Sequence, residues 1–368
     1  MASELSRKVK WGVIGSGGIA RRRTIPEGIV PAKNAELAIV YDVNPKANAE
    51  AASQFGVQAA ASLGEVLGSD VDAVYIASPP GRHLEQTRAC ARAGKDVLCE
   101  KPLGLTVAEA EAMIRGCHEA GVSLGTAFMM RFQVQHQAAL KLIQDGRLGQ
   151  PVFARAQLSC WYPPIPGAWR QDPVAGGGGS LIDMGGHCVD LLEMFFGRVR
   201  AVNCVMNCTV HGYKSEDSAV ATLLFENGAI GVVDAFFCIP DEASRNVLEL
   251  YGSRGSILGE GTIGQGERGR MVAHLEAGVS GYDAQQPRVE GEGRMVDPAP
   301  VNMYRAEIEE FSQALIEGRP PSNGARIGLQ NQKVLAACYE SARVRRQVMV
   351  EGRHQARPVG LSRRVALV

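Results

Sequence analysis

The chain has 368 residues, more than one hydrophobic core of ordinary size accommodates, so two domains are expected. Its 45% hydrophobic and 21% charged residues describe a soluble globular protein, and Lys+Arg balances Asp+Glu at 39 each, so no net charge draws it to nucleic acid. The N-terminus lacks the apolar core of a signal peptide, no run approaches the roughly 18 apolar residues of a membrane span, and nine cysteines without framework spacing read as reduced thiols of a cytoplasmic protein.

In chain order, the first third alternates strand and helix signals, the pattern of a parallel sheet covered by helices. Val9–Ile14 reads as a strand that runs into Gly15-Ser16-Gly17-Gly18-Ile19-Ala20. Leu37–Tyr41 is a short apolar strand; Asn44-Pro45 then caps and opens a helix that Gly56 closes. Strands follow at Ala73–Ala77, ended by Pro79-Pro80, at Val97–Cys99 and at Val122–Ala127. Between them lie helices over His83–Ala93, stopped by Gly94, and Val107–Glu119, capped by Thr106. The short connections suit a doubly wound fold.

Beyond about residue 125 the rhythm changes. A helix over Val134–Gln144 ends near Gly146, and residues 152–161 then alternate at strand period. Ser218–Leu224 and Ile230–Phe237 flank Glu226-Asn227-Gly228, where Asn-Gly is expected to supply the positive φ angles of a tight hairpin. Val247–Tyr251 and Met271–Leu275 add strands, so this half reads as a mostly antiparallel sheet with few helices. Gly259–Gly269 and Gly278–Pro300 read as loops, and Tyr304–Ile316 and Ile327–Arg345 as helices. Arginines crowd the end of the chain, at 343, 345, 346, 353, 357, 363 and 364, as a solvated helix end with a loose tail. Cys204, Cys208 and His211 lack the four ligands of a structural zinc site; a strand over Val199–Val210 places both cysteines on one core-facing side, and no metal is expected.

The glycines have a physical reason to be where they are. Gly15 permits the tight strand-to-helix turn, Gly17 lets backbone approach a pyrophosphate, and Ala20 allows close helix–strand packing. The anion then lies with Gly18 and Ile19 at a helix N-terminus. Asp42 ends the next strand, placed to receive two ribose hydroxyls and to repel a ribose phosphate, which favours NAD over NADP. Lys46 and Arg21 to Arg23 hold NADP open, and an ordinary turn with a helix-leading Asp42 is the bland alternative.

A lysine after Glu100, at a strand end, and Gly179…Asp183…His187 supply chemistry beside such a cofactor. His187 suits a proton acceptor, titrating near neutrality; Lys101 supplies a point charge for a developing alkoxide. Asp183, four residues before His187, shares its face if the segment is helical, whereas Gly185-Gly186 would make it a turn with backbone room for a ligand; Asp183 is then placed to hold a substrate hydroxyl and to favour the protonated imidazole. Pro102 makes a cis bond affordable, and Asp190 orients the helix or the imidazole. Read singly, each has a plainer role: a surface lysine, a helix cap, a structural histidine.

Together these segments resemble the Gfo/Idh/MocA oxidoreductase family over about residues 8 to 350. The resemblance implies a fold of class α/β: an N-terminal Rossmann domain, 1–127, and a C-terminal α+β domain, 128–350, built on a large, mostly antiparallel open sheet that commonly serves as the subunit interface; the clustered arginines make 351–368 a basic tail. It implies that Lys101 is the catalytic lysine, within a commonly cis Lys-Pro peptide, Asp183 the substrate-binding aspartate and His187 the acid/base histidine. Ser78-Pro79 and His83 match the loop beside the nicotinamide ribose, Glu100 and Lys101 the cofactor's surroundings, Trp169-Arg170 a pair that meets cofactor and substrate, and Arg131 and Tyr162 substrate contacts. Asp42 departs from the serine and arginine of the NADP-using anhydrofructose reductases. The expectation is an NAD-dependent oxidoreductase of a sugar or cyclic polyol, assembled as a homodimer or homotetramer. The alternatives are redox-assisted elimination of a glycoside with retained NAD, and a non-catalytic dinucleotide sensor.

Overall fold

The structure, a computed structural model, describes residues 7–275, 284 and 293–350. The tail 351–368 and most of the loop expected over Gly278–Pro300 lie outside the described residues. Val9–Ile14 sits inside a parallel six-stranded sheet whose spatial order is Gln58–Ala59, Ala35–Tyr41, Val9–Ile14, Ala73–Ile76, Asp96–Glu100 and Leu124–Ala127. The chain starts near the centre, winds outward, returns and winds out the other way, which leaves a crevice at the strands' C-terminal ends.

Strand alternation explains the two apolar layers of this unit. Trp11, Val13, Tyr75 and Leu98 point to one side and pack with Ile25 and Ile29; Ile14, Val74, Ile76, Val97 and Cys99 point to the other and pack with Cys90 and Met113. Both faces are covered, which is why these strands read as unbroken apolar runs. The helix after the second strand has the expected ends: Asn44 Oδ1 accepts from Lys46 N and Ala47 N at 3.0 and 3.3 Å, and Gly56 closes it at φ 66°. The strand Gln58–Ala59 and the helix Leu63–Gly68 were not anticipated, although Ser62-x-x-Glu65 is a helix-start signature, and Ser62 Oγ accepts from Glu65 N at 3.2 Å. The first helix, Ala20–Ile29, is wound as a π-helix with Pro26 inside, whose missing N–H cannot serve an α-helical ladder.

The second sheet has nine strands among the described residues: in space Arg294–Met295, Arg270–Leu275, Gly255–Glu260, Val247–Gly252, Pro151–Ser159, Ile230–Phe236, Ser218–Phe225, Val199–Asn207 and Val348–Met349. Pro151–Ser159 and Ile230–Phe236 run parallel; the other pairs are antiparallel. Ala154, Ala156, Ala221, Leu223, Val233 and Leu250 face inward, against the helices Gly186–Phe196 and Ala325–Val344. The opposite face stays open: Val205, Val220 and Ile230 are exposed, and the Arg155 guanidinium pairs with Asp234 at 3.0 Å.

Three expectations are corrected. The hairpin at Glu226-Asn227-Gly228 places only Gly228 at positive φ, 90°, because Asn227 is held by its side chain, which donates to Phe196 O at 2.9 Å. The strand Val199–Asn207 stops before Cys208, so Cys204 is buried while Cys208 is exposed in the following loop. The helix Met303–Glu317, placed in 128–350 by chain position, returns to the first unit: Ile308 and Phe311 enter its core, and Trp11 Nε1 donates to Ser312 Oγ at 3.1 Å. Among the described residues, no group of three or more His, Cys, Asp or Glu is placed to hold a metal ion, and no helix is long and apolar enough to cross a membrane.

Candidate active site

A cleft of about 630 Å³ opens at the C-terminal ends of the first sheet and is closed on its far side by the second unit. Its floor begins at Gly15, which has φ 82°; a Cβ there would stand 2.6 Å from Ser78 N, so no other residue lets these two loops meet. Gly17 N donates to Asp42 Oδ2 at 3.0 Å and Asn44 N to Asp42 Oδ1 at 2.9 Å, so Asp42 ties the glycine turn to the second strand. Each carboxylate oxygen keeps a further acceptor site. A Cβ at Gly18 would meet nothing within 4 Å, and Gly18, Ile19 and Asp42 line the cleft. An open glycine before helix N–H groups, with a carboxylate beyond, fits a dinucleotide.

At the other end stand the charged groups. Lys101 follows the strand Asp96–Glu100, and the Lys101–Pro102 peptide is cis. Its Nζ donates to Asp183 Oδ1 at 2.7 Å and to Asp183 O at 2.8 Å, leaving one of three N–H bonds for another acceptor. Arg170 Nε donates to Asp183 Oδ2 at 3.0 Å, and its guanidinium lies 4.0 Å from the Trp169 ring centroid. Burial opposes the Asp183 charge, but Arg170 and Lys101 outweigh it and hold the carboxyl far below the ordinary range. Glu100 lies beneath: it accepts from Tyr75 Oη and from Lys101 N, and burial raises its pKa.

Asp183 lies in a π-helical turn, Leu181–Gly185, that runs directly into the helix Gly186–Phe196 bearing His187. Lys101, Asp183 and His187 all line the cleft. His187 Nδ1 is buried without a hydrogen-bond partner, and the ring meets Phe128 edge-on at 6.1 Å between centroids. Burial, then the Lys101 charge, push the imidazole well below its ordinary pKa. Asp183 favours the protonated imidazole as expected, but burial and Lys101 outweigh it.

Two family models match the chain: "Oxidoreductase family, NAD-binding Rossmann fold" over residues 9–128 and "GFO/IDH/MocA C-terminal domain" over 136–258. The 1,5-anhydro-D-fructose reductase of Ensifer adhaerens is 31% identical over 86% of this chain and 91% of its own. The chain belongs to the Gfo/Idh/MocA oxidoreductase family. The myo-inositol 2-dehydrogenase of Thermotoga maritima, another relative, is 31% identical over 93% of this chain and 99% of its own. The aldose-aldose oxidoreductase of Caulobacter crescentus, solved with glycerol, superimposes with a TM-score of 0.83 at 28% identity, over 93% of this chain and all of that one. This member of the Gfo/Idh/MocA family is an NAD(P)-dependent oxidoreductase with an NAD-binding Rossmann domain.

Other residues singled out by the family resemblance divide. Ser78, Pro79, Glu100, Trp169 and Arg170 line the cleft. His83 does not: it is fully buried, with ring nitrogens 3.0 Å from Pro102 O and 2.8 Å from Ser78 O, so it ties together the two loops that flank the cleft. Arg131 is also outside the lining, because both Asp190 oxygens lie 2.8 Å from its Nε. Asp190 meets that guanidinium; burial pushes its pKa up to about 6 and Arg131 restrains the rise. Tyr162 packs on Phe237 at 5.0 Å and is likewise absent from the lining. Sequence reasoning missed Asn246, Gln265 and Tyr304, which do line it. Tyr304 is 2% exposed and its hydroxyl has no partner, an orphan donor facing a site built for a polar ligand.

Proposed function

We propose that this enzyme interconverts a secondary hydroxyl and a ketone on a sugar, sugar derivative or cyclic polyol, with NAD in preference to NADP. The reading rests on one observation: the Lys101 ammonium, the Asp183 carboxylate and a neutral His187 meet in the cleft that begins at the glycine turn. Bound NAD(H) would supply the hydride acceptor or donor, held by Gly15, Gly17, Gly18, Ile19 and Asp42 at one end and flanked by Ser78, Pro79, Glu100 and Trp169-Arg170 at the other. In the oxidation direction, neutral His187 takes the hydroxyl proton as hydride leaves the carbinol carbon. The remaining Lys101 N–H holds the oxygen while negative charge develops on it. In the reverse direction His187 returns the proton. Asp183 fixes Lys101 and Arg170 and offers its free acceptor sites to a ring hydroxyl.

The proposed division of labour is 1–127 for the dinucleotide and 128–350 for substrate and assembly, with the helix Met303–Glu317 crossing back. The open sheet face bearing Val205, Val220 and Ile230 supports a homodimer or homotetramer, with light scattering as its check, and the composition supports a cytoplasmic location. The test of function is NADH formation from NAD over a panel containing myo-inositol, 1,5-anhydro-D-glucitol, D-xylose and D-glucose. Turnover of at least one is expected. Tight NADH binding with no oxidation across a broad panel would contradict the reading, and release of phenol from aryl glycosides without net NADH would replace it with elimination.

A further inference from the structure

We propose that the dinucleotide is clasped from both units: Arg22 of the first helix and Gln265, at the tip of a loop from the second sheet, bind its pyrophosphate. The inference rests on the dinucleotide reading above. Residues 261–269 join the strand Gly255–Glu260 to Arg270–Leu275. The base of this loop is fixed. Thr262 and Ile263 are buried, and the Gln135 side chain bonds Gly269 in both directions, at 2.9 and 3.0 Å. Gly269 has no room for a side chain, since a Cβ would stand 2.4 Å from Glu260 O.

The tip is clipped to the helix that carries the glycine turn. Arg23 Nε donates to Gln265 Oε1 at 3.3 Å, and Asn302 Nδ2 donates to Glu27 Oε2 on that helix and Glu267 Oε1 on the loop, at 2.9 and 3.2 Å. Because Arg23 takes the Gln265 carbonyl oxygen, the free half of that amide is its N–H2 donor. Gly264 and Gln265 line the cleft together with Gly18, Ile19 and Arg22.

The three consecutive arginines are not equivalent. Arg21 pairs with Glu50 and Arg23 with Glu27, whereas Arg22 has no hydrogen-bond or ion-pair partner among the described residues. An unpaired guanidinium, an amide donor and the opening of a helix all line this cleft, a set of donors that suits an anion. The anion a dinucleotide presents next to a glycine turn is its pyrophosphate. A 2′-phosphate is disfavoured on this wall by the Asp42 carboxylate, which also lines it. A dinucleotide held in this way leaves only when the loop parts from the helix, so Gln265 governs its release as well as its affinity.

The experiment measures ADP-ribose and 2′-phospho-ADP-ribose affinity by calorimetry, and NADH dissociation by stopped-flow fluorescence, on the full chain. Arg22→Ala is expected to weaken both ADP-ribose ligands about tenfold, and Gln265→Ala to weaken them several-fold and speed NADH release. Gln265→Glu, which turns a carboxylate toward the pyrophosphate, is expected to weaken binding more than Gln265→Ala; a merely structural loop contact would not give that order. Unchanged ADP-ribose affinity in Arg22→Ala and Gln265→Ala overturns the proposal, as does a loss confined to the 2′-phosphorylated ligand. Wild-type protein that binds neither ADP-ribose nor NADH overturns it together with the dinucleotide reading; wild-type binding with indifferent variants overturns it alone.

Discussion

The Lys101 ammonium and the Asp183 carboxylate, 82 positions apart in the chain, lie 2.7 Å from each other with side chains 11% and 10% exposed. In the proposed reaction a cation so enclosed, with His187 on the same cleft, would act on a substrate oxygen rather than on solvent. Lys101→Met and His187→Gln are each expected to lower kcat by roughly a hundredfold or more, with NADH affinity changed little. Steady-state turnover and fluorescence titration separate the two effects. A double variant with wild-type turnover would remove both residues from the chemistry.

His187 is expected to stay neutral well below pH 6.5. Its folded pKa lies below the unfolded value, so the unfolded state binds more protons as pH falls through about 6.5. The neutral ring's contribution to stability is complete above that pH and is lost below it, down to the folded pKa. Denaturant midpoints should therefore fall more steeply below about pH 6.5 in wild type than in His187→Gln. By NMR, Lys101→Met should move the imidazole pKa upward, because the lysine charge depresses it, and Asp183→Asn should move it further down.

Arg131 is expected to matter for the fold and not for the substrate. Its partner Asp190 is 2% exposed at the side chain, so Arg131→Leu leaves a buried carboxylate unpaired and should cost about 3 kcal/mol near neutral pH. Because Arg131 holds the Asp190 pKa down, its loss raises that pKa above about 6, so the cost should shrink as pH falls toward about 6 and level off below it, where the carboxyl is protonated in both proteins. Substrate KM should be unchanged in the folded fraction. A large rise in KM with wild-type stability would restore the substrate role.

Asp42 is expected to set the choice of dinucleotide. Asp42→Ser removes the carboxylate that disfavours a ribose phosphate and also the acceptor of Gly17 N, so NAD affinity should fall by about tenfold while the NADP:NAD ratio of kcat/KM rises. Kinetics with both cofactors check this. An unchanged ratio would remove Asp42 from the ribose site.

What was legible in the sequence was what is encoded locally. Gly15, Gly17 and Asp42 announce themselves because a turn with positive φ and a strand-end carboxylate need those residue types; Asn44-Pro45 and Gly56 mark a helix for equally local reasons. Lys101 and His187 could be named from their neighbours, through the family they resemble. The rest was set by distance in the chain. Tyr304 and Gln265 reach the cleft only because a late helix and a distant loop fold back on the first unit. Arg131 and Asp190, 59 positions apart, disclose nothing of their pairing beforehand. The neutrality of His187 follows from burial and from Lys101, and neither is visible in its own segment.

The most direct measurement is a crystal structure of the protein with NADH and whichever polyol of the panel turns over fastest. The account predicts that the reacting oxygen lies within about 3.2 Å of both Lys101 Nζ and a His187 ring nitrogen, with its carbon facing the nicotinamide. A polyol seated elsewhere in the cleft, with its oxidised carbon beyond reach of Lys101 and His187, would contradict it.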